Sequence, residues 1–364
     1  MSHRSDVLVI GAGIAGASLA ARLSSKRKIT VLEAEERPGY HSTGRSAAAF
    51  EPNYGPAPIR ALTRASRRHF DEVGALLHRE SLFVMPAGQE EAFATLMANQ
   101  QGMHEISLKE LAEKYPRLRP DYALRAILDP GTADIDVDII HQGFLRQLKA
   151  NGGHLVCDAE ATAIERRAGV WRVTTRQGEF EADILVNAAG AWGDVVGIRA
   201  GAAPRGLQPK RRSIAVVPVP PELGSDAWPF ICDAGETWYA KPQSGKLLVS
   251  PADATPVEPH DAFADDMTLA EGIDRFQQAV DVEVSRVEHS WAGLRSFVAD
   301  GNPVCGYDGK VENFFWLIGQ GGYGIQTSPA FSRLAATLVL SEPVPADIAD
   351  EGLVLTDIAP SRLG

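Results

Sequence analysis

DVLVIGAGIAGASLAARLS, which runs from Asp6 to Ser24, is the stretch that decides the fold. Its apolar start predicts a buried strand, and the Ala/Leu-rich remainder predicts a helix, with GAGIAG as the tight turn between them. Gly11 permits the turn, Gly13 lets the backbone approach a pyrophosphate, and Gly16 lets helix and strand pack closely. The stretch therefore predicts a dinucleotide-binding turn at the start of an α/β lobe.

A second apolar run, Ile29 to Leu32, ends in the acidic residue Glu33. An acid at this interval after the glycines reaches the ribose hydroxyls, while the phosphates lie at the positive end of the helix dipole. A glycine turn alone arises by chance, and Glu33 alone could be a solvated strand end. The order of strand, turn, helix, strand and acid favours a dinucleotide site, although it does not separate NAD from FAD.

Three distant segments favour FAD. PGYHSTGRSAAAF (Pro38–Phe50) predicts a polar loop leading into a small-residue helix start against a flavin, and ADILVNAAGAWG (Ala182–Gly193) predicts a strand end close to a cofactor. FFWLIGQGGYGIQTSPA (Phe314–Ala330) predicts a strand, a glycine turn and a helix start whose free N–H groups suit an anionic flavin edge. Each could be a plain structural turn. No second G-x-G-x-x-G follows a strand, so a separate NAD(P)H site is not expected.

Length and composition predict a globular protein of two interdependent lobes. The chain has 364 residues, 45% of them apolar and 23% charged, which exceeds the size of most single cores. The opening residues lack a secretory apolar region, and no run is long and apolar enough to span a bilayer, so a cytoplasmic protein with no integral membrane segment is expected.

Charge and cysteine content exclude other classes. The net charge of -11 disfavours a phosphate backbone, since the longest basic cluster is only Lys210 to Arg212, and no nucleic acid partner is expected. Cys157, Cys232 and Cys305 lie far apart, so neither disulfides nor a metal site is predicted. The stretch 206–287 has strand-like runs (SIAVVPV, WYAKP, KLLVSPA) separated by Pro and Gly, which predicts an inserted β lobe for the substrate.

The strings HSTGRSAA, DIDVDIIHQG, LVNAAGAW, GLQPKRRS, WAGLRSFVADG and QGGYGIQTS resemble the D-amino acid oxidase superfamily of FAD-dependent oxidoreductases, nearest the bacterial D-arginine dehydrogenases. The likeness runs nearly end to end. It implies an α/β fold (α+β overall), with a discontinuous Rossmann-type FAD-binding lobe (1–50, 130–205 and 288–364) and an inserted antiparallel β-sheet substrate lobe (51–129 and 206–287).

The motifs and the resemblance together assign the site of a non-covalent FAD. Its predicted lining is Gly11, Gly13, Ile14, Ala15, Gly16, Glu33, His41, Ser42, Thr43, Arg45, Ser46, Ala47, Ala48, Ala189, Gly190, Trp192, Gly321, Gly322, Tyr323, Gly324 and Ile325. Covalent flavin is not expected, because the position of the flavin-linked cysteine in sarcosine oxidases holds Arg295.

The resemblance also implies a substrate site. Arg212 and Arg295 match the family arginines that hold the substrate carboxylate, a task suited to a planar, permanently charged guanidinium. Without the match, both would be interpreted as surface or salt-bridge residues, and Arg211 is expected to point elsewhere. The tyrosines implied at the site, for which core packing is the alternative, are Tyr54 and Tyr239 at the substrate, and Tyr323 with Gly322 beside the flavin.

The chain departs from the arginine-specific pattern. The substrate-side positions that differ from the relatives are Ala49, Glu51, Ser81, Phe230 and Cys232. Ser81 stands where the relatives carry the acid that pairs the guanidinium, with Glu80 next to it. Because a buried guanidinium without an acid is strongly disfavoured, oxidation of D-arginine requires Glu51 or Glu80 to replace that acid. Otherwise a neutral or aromatic side chain is expected.

The implied reaction is oxidative deamination of a D-amino acid by hydride transfer from Cα to flavin N5, giving an imino acid that hydrolyses to a 2-oxo acid and ammonia. No protein base is evident, since His41 belongs to the flavin-facing loop and His141 and His289 to structural segments. The electron acceptor is oxygen, a quinone or another carrier. Alternatives are an oxidase of glycine, sarcosine or a cyclic secondary amine, a tRNA-modifying flavin domain, and a non-catalytic flavin-binding protein. The sequence leaves the oligomeric state undetermined.

Overall fold

A computed structural model of the protein describes residues 3–98, 101–220 and 224–364. The strands in this part of the chain are β1 (His3–Ile10), β2 (Ile29–Leu32), β3 (Ala49–Phe50), β4 (Leu76–His78), β5 (Ser81–Met85), β6 (His104–Ile106), β7 (Arg125–Asp129), β8 (Ala133–Ile135), β9 (His154–Val156), β10 (Ala163–Arg167), β11 (Val170–Thr175), β12 (Gly178–Asn187), β13 (Gln208–Pro218), β14 (Phe230–Asp233), β15 (Tyr239–Gln243), β16 (Lys246–Ser250), β17 (Thr255–Pro256), β18 (His289–Phe297), β19 (Val304–Tyr307) and β20 (Phe314–Ile318). The helices there are α1 (Ile14–Leu23), α2 (Ala57–Val73), α3 (Glu90–Ala98), α4 (Leu108–Lys114), α5 (Val137–Ala150), α6 (Gly193–Arg199), α7 (Asp266–Ala279), α8 (Gly324–Leu340) and α9 (Ala346–Ala349).

The first sheet has a Rossmann-type centre. Strands β9, β2, β1, β12 and β20 lie side by side and parallel, while β10, β11 and β19 join antiparallel at the margins. All residues of β2 and β20 are buried, as expected of parallel strands covered on both faces. Helices α1, α5 and α8 pack together beside this sheet. The predicted α/β class and nucleotide-binding order are confirmed.

The second sheet is nearly all antiparallel. Its order is β17-β13-β16-β15-β14-β5-β7-β6, with β18 also paired to β13. The exception is the β5–β14 pair, which runs parallel. The three predicted strand runs between 206 and 287 form β13, β15 and β16. A small sheet of β3, β8 and β4 lies apart from both larger ones.

The helix start predicted at the small-residue end of Pro38–Phe50 is wrong. Residues 34–48 form turns and loop, followed by the short strand β3. Ala48 adopts the left-handed conformation (φ 51°), which a helix cannot continue through. Its amide instead bonds to the Ser46 hydroxyl, and its carbonyl accepts the Ile135 amide. Pairing with β8 therefore replaced the helix that the small residues suggested.

Two elements cross the predicted lobe boundaries. Strand β18 begins just after residue 288, in a segment assigned to the FAD-binding lobe, yet it pairs with β13 along nine residue pairs of the second sheet. Helix α2, assigned to the substrate lobe, packs against α8 and α5 instead. The division into lobes stays a prediction. Among the described residues, none of the helices combines the length and apolar character needed to cross a bilayer.

Candidate flavin and substrate cavities

A large cavity of about 380 Å³ opens at the carboxyl ends of the parallel strands. Its lining includes Ile10 and Leu32, which end β1 and β2, and Ala188 after β12. Ligands of open α/β sheets bind at this edge, and the volume lies within the usual range for small-molecule sites. Across the cavity, the second sheet contributes Leu294 and Arg295 of β18.

The first glycine turn is built as its sequence predicts. Gly11 has φ +101°, and a Cβ there would lie 2.4 Å from the Ala188 carbonyl oxygen. A Cβ at Gly16 would lie 1.9 Å from the Gly11 carbonyl oxygen, so Gly16 serves helix packing and does not line the cavity. Helix α1 has no side-chain cap of its own at Gly13, and the Ile14 amide bonds to Thr43 Oγ1 at 2.9 Å.

Glu33 is a buried anchor and not a solvated strand end. Its carboxylate accepts the Ala12 amide at 2.8 Å and the Glu35 amide at 3.0 Å. Burial raises the pKa of Glu33, although these two backbone hydrogen bonds oppose the shift. The carboxylate thus ties the end of β2 to the glycine turn and faces the large cavity.

The loop after residue 38 is held against the second sheet. Ser42 donates to the Leu294 carbonyl at 2.7 Å, and Arg45 donates to the Ala262 carbonyl at 2.7 Å while pairing with Asp261. His41 bonds to Glu35 at 2.8 Å. In this loop, Arg45 and His41 therefore have partners within the protein.

The last glycine turn forms the part of the cavity wall that adjoins the start of α1, where a Cβ at Gly324 would lie 3.5 Å from the Ile14 side chain. Gly321 has φ +54°, and a Cβ at Gly322 would lie 2.8 Å from Arg295 Cζ. Helix α8 begins here without a side-chain cap. Close by, the buried hydroxyl of Ser296 has no partner in the described chain, although it lies at the cavity wall.

These features fit FAD. The starts of α1 and α8 lie next to each other at the cavity, and neither is capped by the side chain of its own N-cap residue. Backbone N–H groups left free there suit an anionic pyrophosphate and an electron-rich flavin edge. Glycines leave room where side chains would collide with backbone. The orphaned Ser296 hydroxyl awaits a polar ligand.

A second, small cavity of about 60 Å³ shares walls with the first. Both are lined by Arg212 of β13, Tyr239 of β15 and Arg295 of β18, and by Gly322 and Ile325. The second sheet brings the first three together: β18 pairs with β13, and β16 lies between β13 and β15. A ligand in the small cavity would therefore adjoin one in the large cavity.

Neither arginine at this junction pairs with a carboxylate in the described chain. Arg212 Nε donates to the Asp253 carbonyl at 2.7 Å, and Arg295 Nη1 lies 3.4 Å from the Tyr54 hydroxyl. Arg211, one residue away, pairs with Asp253 at 3.2 Å and points elsewhere, as predicted. Burial alone would lower the pKa of Arg295, but its neighbours outweigh burial and raise it, so the group stays charged. Two unpaired guanidinium groups favour an anionic ligand.

The three predicted tyrosines differ in their surroundings. Tyr54 and Tyr239 line the small cavity, and burial raises the pKa of Tyr54 well above its usual value, which keeps the phenol neutral. The buried Tyr239 hydroxyl has no partner in the described residues. Tyr323 lines neither cavity; its ring packs edge-on against Tyr54 at 5.1 Å between ring centroids.

Glu51 also lines the small cavity, and its carboxyl group can carry a charge opposite to that of the arginines. Its side chain is 9% exposed, and the one hydrogen bond described for the carboxylate comes from Ser81 at 3.3 Å. Burial, followed by the carboxylates of Glu236 and Asp129, raises its pKa to about 7. Glu80, the other candidate acid, bonds to Lys114 at 2.7 Å and is absent from the cavity wall.

Phe230 and Cys232 line the small cavity, whereas Ser81 does not and instead donates to Glu51. Their predicted contact with the substrate stays a prediction. Sequence reasoning missed Glu236, which also lines the cavity and accepts the Tyr54 hydroxyl at 3.1 Å. It also missed Gln326, whose buried Nε2 has no partner in the described chain. Glu236 sits in a turn with positive φ and carries no sequence signal; Gln326 lies in the quoted last motif.

Most predicted cofactor residues line the large cavity. Those that do are Gly11, Gly13, Ile14, Ala15, Glu33, His41, Ser42, Thr43, Arg45, Ser46, Ala47, Ala189, Gly190, Trp192, Gly321, Gly322, Gly324 and Ile325. Ala48 lines the small cavity instead. Segments that the sequence did not indicate, among them 159–161 and 195–199, complete the wall.

Comparison with known proteins identifies similar chains. The model of the DAO family, described as FAD dependent oxidoreductase, matches residues 6–338. A glycine oxidase of Bacillus licheniformis is 25% identical over 365 residues, covering 94% of this chain and 95% of its own.

Two solved structures share the fold. Glycine oxidase of Geobacillus kaustophilus superposes with a TM-score of 0.82 at 22% identity, covering 97% of this chain and 99% of that one. L-alpha-glycerophosphate oxidase of Mycoplasma pneumoniae, with FAD bound, gives 0.83 at 19% identity, covering 93% and 95%. The expected fold is confirmed, while the special likeness to D-arginine dehydrogenases is not; the similar proteins named here are glycine oxidases and a glycerophosphate oxidase.

Proposed function

The chain belongs to the DAO family of FAD dependent oxidoreductases. On this premise, we propose that it oxidises the carbon–nitrogen bond of a small amino acid, and that it prefers glycine or an N-substituted glycine to a larger D-amino acid. The observation that carries the proposal is the pair of unpaired guanidinium groups, Arg212 and Arg295, in a small cavity beside the flavin cavity. Two such groups suit one carboxylate.

The cofactor would be held by the glycine turn at Gly11, the Glu33 carboxylate and the helix start after Gly322. When bound, FAD supplies a two-electron oxidant that accepts a hydride from the substrate carbon. The family and the cavity features support this cofactor, and the remaining steps depend on the chain's own side chains.

Those side chains bind, orient and enclose the substrate. Arg212 and Arg295 hold the carboxylate, which fixes the position of the substrate carbon relative to the large cavity. The Tyr239 hydroxyl, which has no protein partner, donates to the same carboxylate. The neutral Tyr54 phenol and the Phe230 ring exclude water around the reacting carbon, which strengthens each polar contact.

Cavity size favours the smallest amino acids. A volume of about 60 Å³ lies well below the usual range for small-molecule sites, which favours a small substrate. The Bacillus and Geobacillus relatives are named glycine oxidases, which supports the same choice. The wall of this cavity also carries polar groups of both signs, namely the two guanidinium groups and the Glu51 carboxyl group.

A D-amino acid with a cationic side chain is the second candidate. It is favoured by the buried carboxylate of Glu51, which offers an acid in the small cavity although Ser81 stands at the expected position. Glu80 does not support this candidate, because Lys114 and Tyr115 already occupy its carboxylate.

A substrate panel tests the proposal. Purified protein with its FAD is assayed with an artificial electron acceptor on glycine, sarcosine, D-alanine, D-proline, D-methionine, D-phenylalanine, D-lysine and D-arginine. We expect the highest kcat/KM for glycine or sarcosine. No turnover with any of them would contradict the proposal. Repeating the assay with dioxygen alone separates an oxidase from a dehydrogenase.

A further inference from the structure

We propose that Glu51 is a catalytic residue that accepts a proton from the ammonium group of the bound amino acid, which leaves the amine neutral for oxidation. The inference rests on the proposed function, since it concerns the same cavity. It differs from the sequence-based expectation that the site holds no protein base.

The position of Glu51 is fixed by its backbone. It directly follows β3, and its amide donates to Gln326 Oε1 at 3.0 Å. Ser81 donates to its carboxylate from β5 at 3.3 Å. These contacts aim the carboxylate into the cavity that Arg212 and Arg295 also line.

Charge in the small cavity matches an amino acid at both ends. Glu51 forms no ion pair in the described chain, as is also true of Arg212 and Arg295. A 2-amino acid carries its carboxylate and ammonium on one carbon, so both ends fit within about 60 Å³. With the carboxylate on the guanidinium groups, the ammonium faces Glu51. The buried Glu51 carboxylate and the two half-buried guanidinium groups thereby each gain a partner.

Proton affinity supports the role. Burial raises the pKa of Glu51 to about 7, so about half of the carboxyl groups are ionised at neutral pH, and the ionised form binds a proton readily. Glu236, the other carboxylate at this cavity, is exposed. The charged and titratable groups that act on Glu51 or surround it are Glu236, Asp129, Arg295, Arg212, Lys241, Cys232, Tyr54, Tyr239 and Tyr323.

The step is a simple proton transfer. One N–H bond of the ammonium breaks, its electron pair stays on nitrogen as the lone pair, and an O–H bond forms on the Glu51 carboxylate. Nothing is oxidised or reduced. After the product leaves, the carboxylic acid returns its proton to water.

The pH dependence of kcat/KM for glycine tests the step. In the wild type, kcat/KM should rise with pH through about 7 and then level off. In Glu51→Gln it should fall at neutral pH by about 10²-fold, then climb tenfold per pH unit until the ammonium itself loses its proton. High pH should therefore rescue the variant.

Two comparisons separate this role from others. Glu236→Gln removes a charge at the same cavity but keeps Glu51 as the proton acceptor, so the rise of kcat/KM with pH should persist. The rise should move to lower pH, because the Glu236 carboxylate no longer raises the pKa of Glu51. If Glu51→Gln instead lost activity with D-arginine and D-lysine alone and kept it with glycine, Glu51 would contact the side chain, and the inference would be overturned.

Infrared difference spectroscopy gives a measurement independent of turnover. A protonated buried carboxyl that ionises near pH 7 should appear in the wild type and vanish in Glu51→Gln, with Glu51→Asp retaining a titrating band. A wild type with no such band, or a Glu51→Gln variant with an unchanged pH profile on glycine, would overturn the inference alone. A wild type that oxidises no amino acid would remove the proposed function and, with it, this step.

Discussion

The two adjoining cavities are built differently. The large cavity is shaped by glycines and backbone N–H groups, and away from its junction with the small cavity Arg45 pairs with Asp261 and Arg199 pairs with Glu160. The small cavity is shaped by side chains from separate strands, and its charges at Arg212, Arg295 and Glu51 lack charged protein partners. A charge that is paired within the protein contributes to the fold, whereas a charge without a protein partner is available to bind a ligand.

The contrast extends to the chain itself. The glycine turn is local, so a dozen residues determine it. The wall of the small cavity is formed by residues of β13, β15, β18 and the loop after β3, which are far apart in sequence. Changes in the large cavity should therefore affect cofactor retention and folding, and changes in the small one should affect turnover with little change in fold.

Gly16→Val should have the largest effect, because it distorts the glycine turn that forms part of the large cavity wall. Even a Cβ at this position would lie 1.9 Å from the Gly11 carbonyl oxygen, so the turn cannot keep its shape. We expect protein without bound flavin, measured by visible absorbance after purification. Gly143→Ala in α5, where nothing but the far end of Arg146 is near, should keep its flavin. Normal flavin content in Gly16→Val would break the contrast.

Arg295→Ala should test the small cavity most strongly. Loss of a charge-assisted contact to the substrate carboxylate should lower kcat/KM by about two orders of magnitude, or about 3 kcal/mol, with flavin content unchanged. The control is Arg211→Ala, whose guanidinium pairs with Asp253; it should change kcat/KM by no more than about twofold. Equal effects of the two variants would remove Arg295 from the site.

Glu51→Gln should stabilise the substrate-free protein at high pH. The pKa of Glu51 rises from 4.5 to about 7 on folding, so ionisation destabilises the native state as pH climbs through that window, by up to about 3 kcal/mol above it. The Tm of the variant should exceed that of the wild type at about pH 8.5 and match it near pH 4.5. Glu80→Gln, which breaks a pair with Lys114, should show no such gain.

Tyr239→Phe should have the smallest effect and the most informative sign. The buried hydroxyl has no protein partner, so its removal should leave Tm unchanged or raise it. The same change should raise KM by roughly fivefold, or about 1 kcal/mol, since the substrate loses a donor. A drop in Tm with KM unchanged would mean that the hydroxyl serves the fold.

Local motifs made much of the fold predictable from sequence. The strand, turn and helix from Asp6 onward and the strand Ile29–Leu32 depend on residues close in sequence, whose spacing dictates the geometry. The sequence predicted Glu33 as a ribose contact, and its hydrogen bonds to the Ala12 and Glu35 amides were not predicted. The fold class, the FAD cofactor and the strands of the second sheet followed. The pairing of Arg211 away from the cavity was also anticipated, through the family resemblance.

Tertiary pairing decided what the sequence could not show. The small residues after Ser46 favour a helix by propensity, yet hydrogen bonding between Ala48 and Ile135 draws them into a strand. Glu236 occupies a turn without any motif and reaches the cavity through the bend of β14 into β15. The burial that raises the pKa of Glu51 arises from strands distant in sequence, so no pattern around Glu51 indicates it.

The most direct test of amino acid oxidation at these cavities is anaerobic addition of glycine to the purified, flavin-loaded wild type, followed by the visible absorbance of the flavin. We predict that the oxidised flavin bleaches with glycine or sarcosine, and that Arg295→Ala bleaches far more slowly. Retained absorbance with glycine, sarcosine and every D-amino acid of the panel would contradict the proposal.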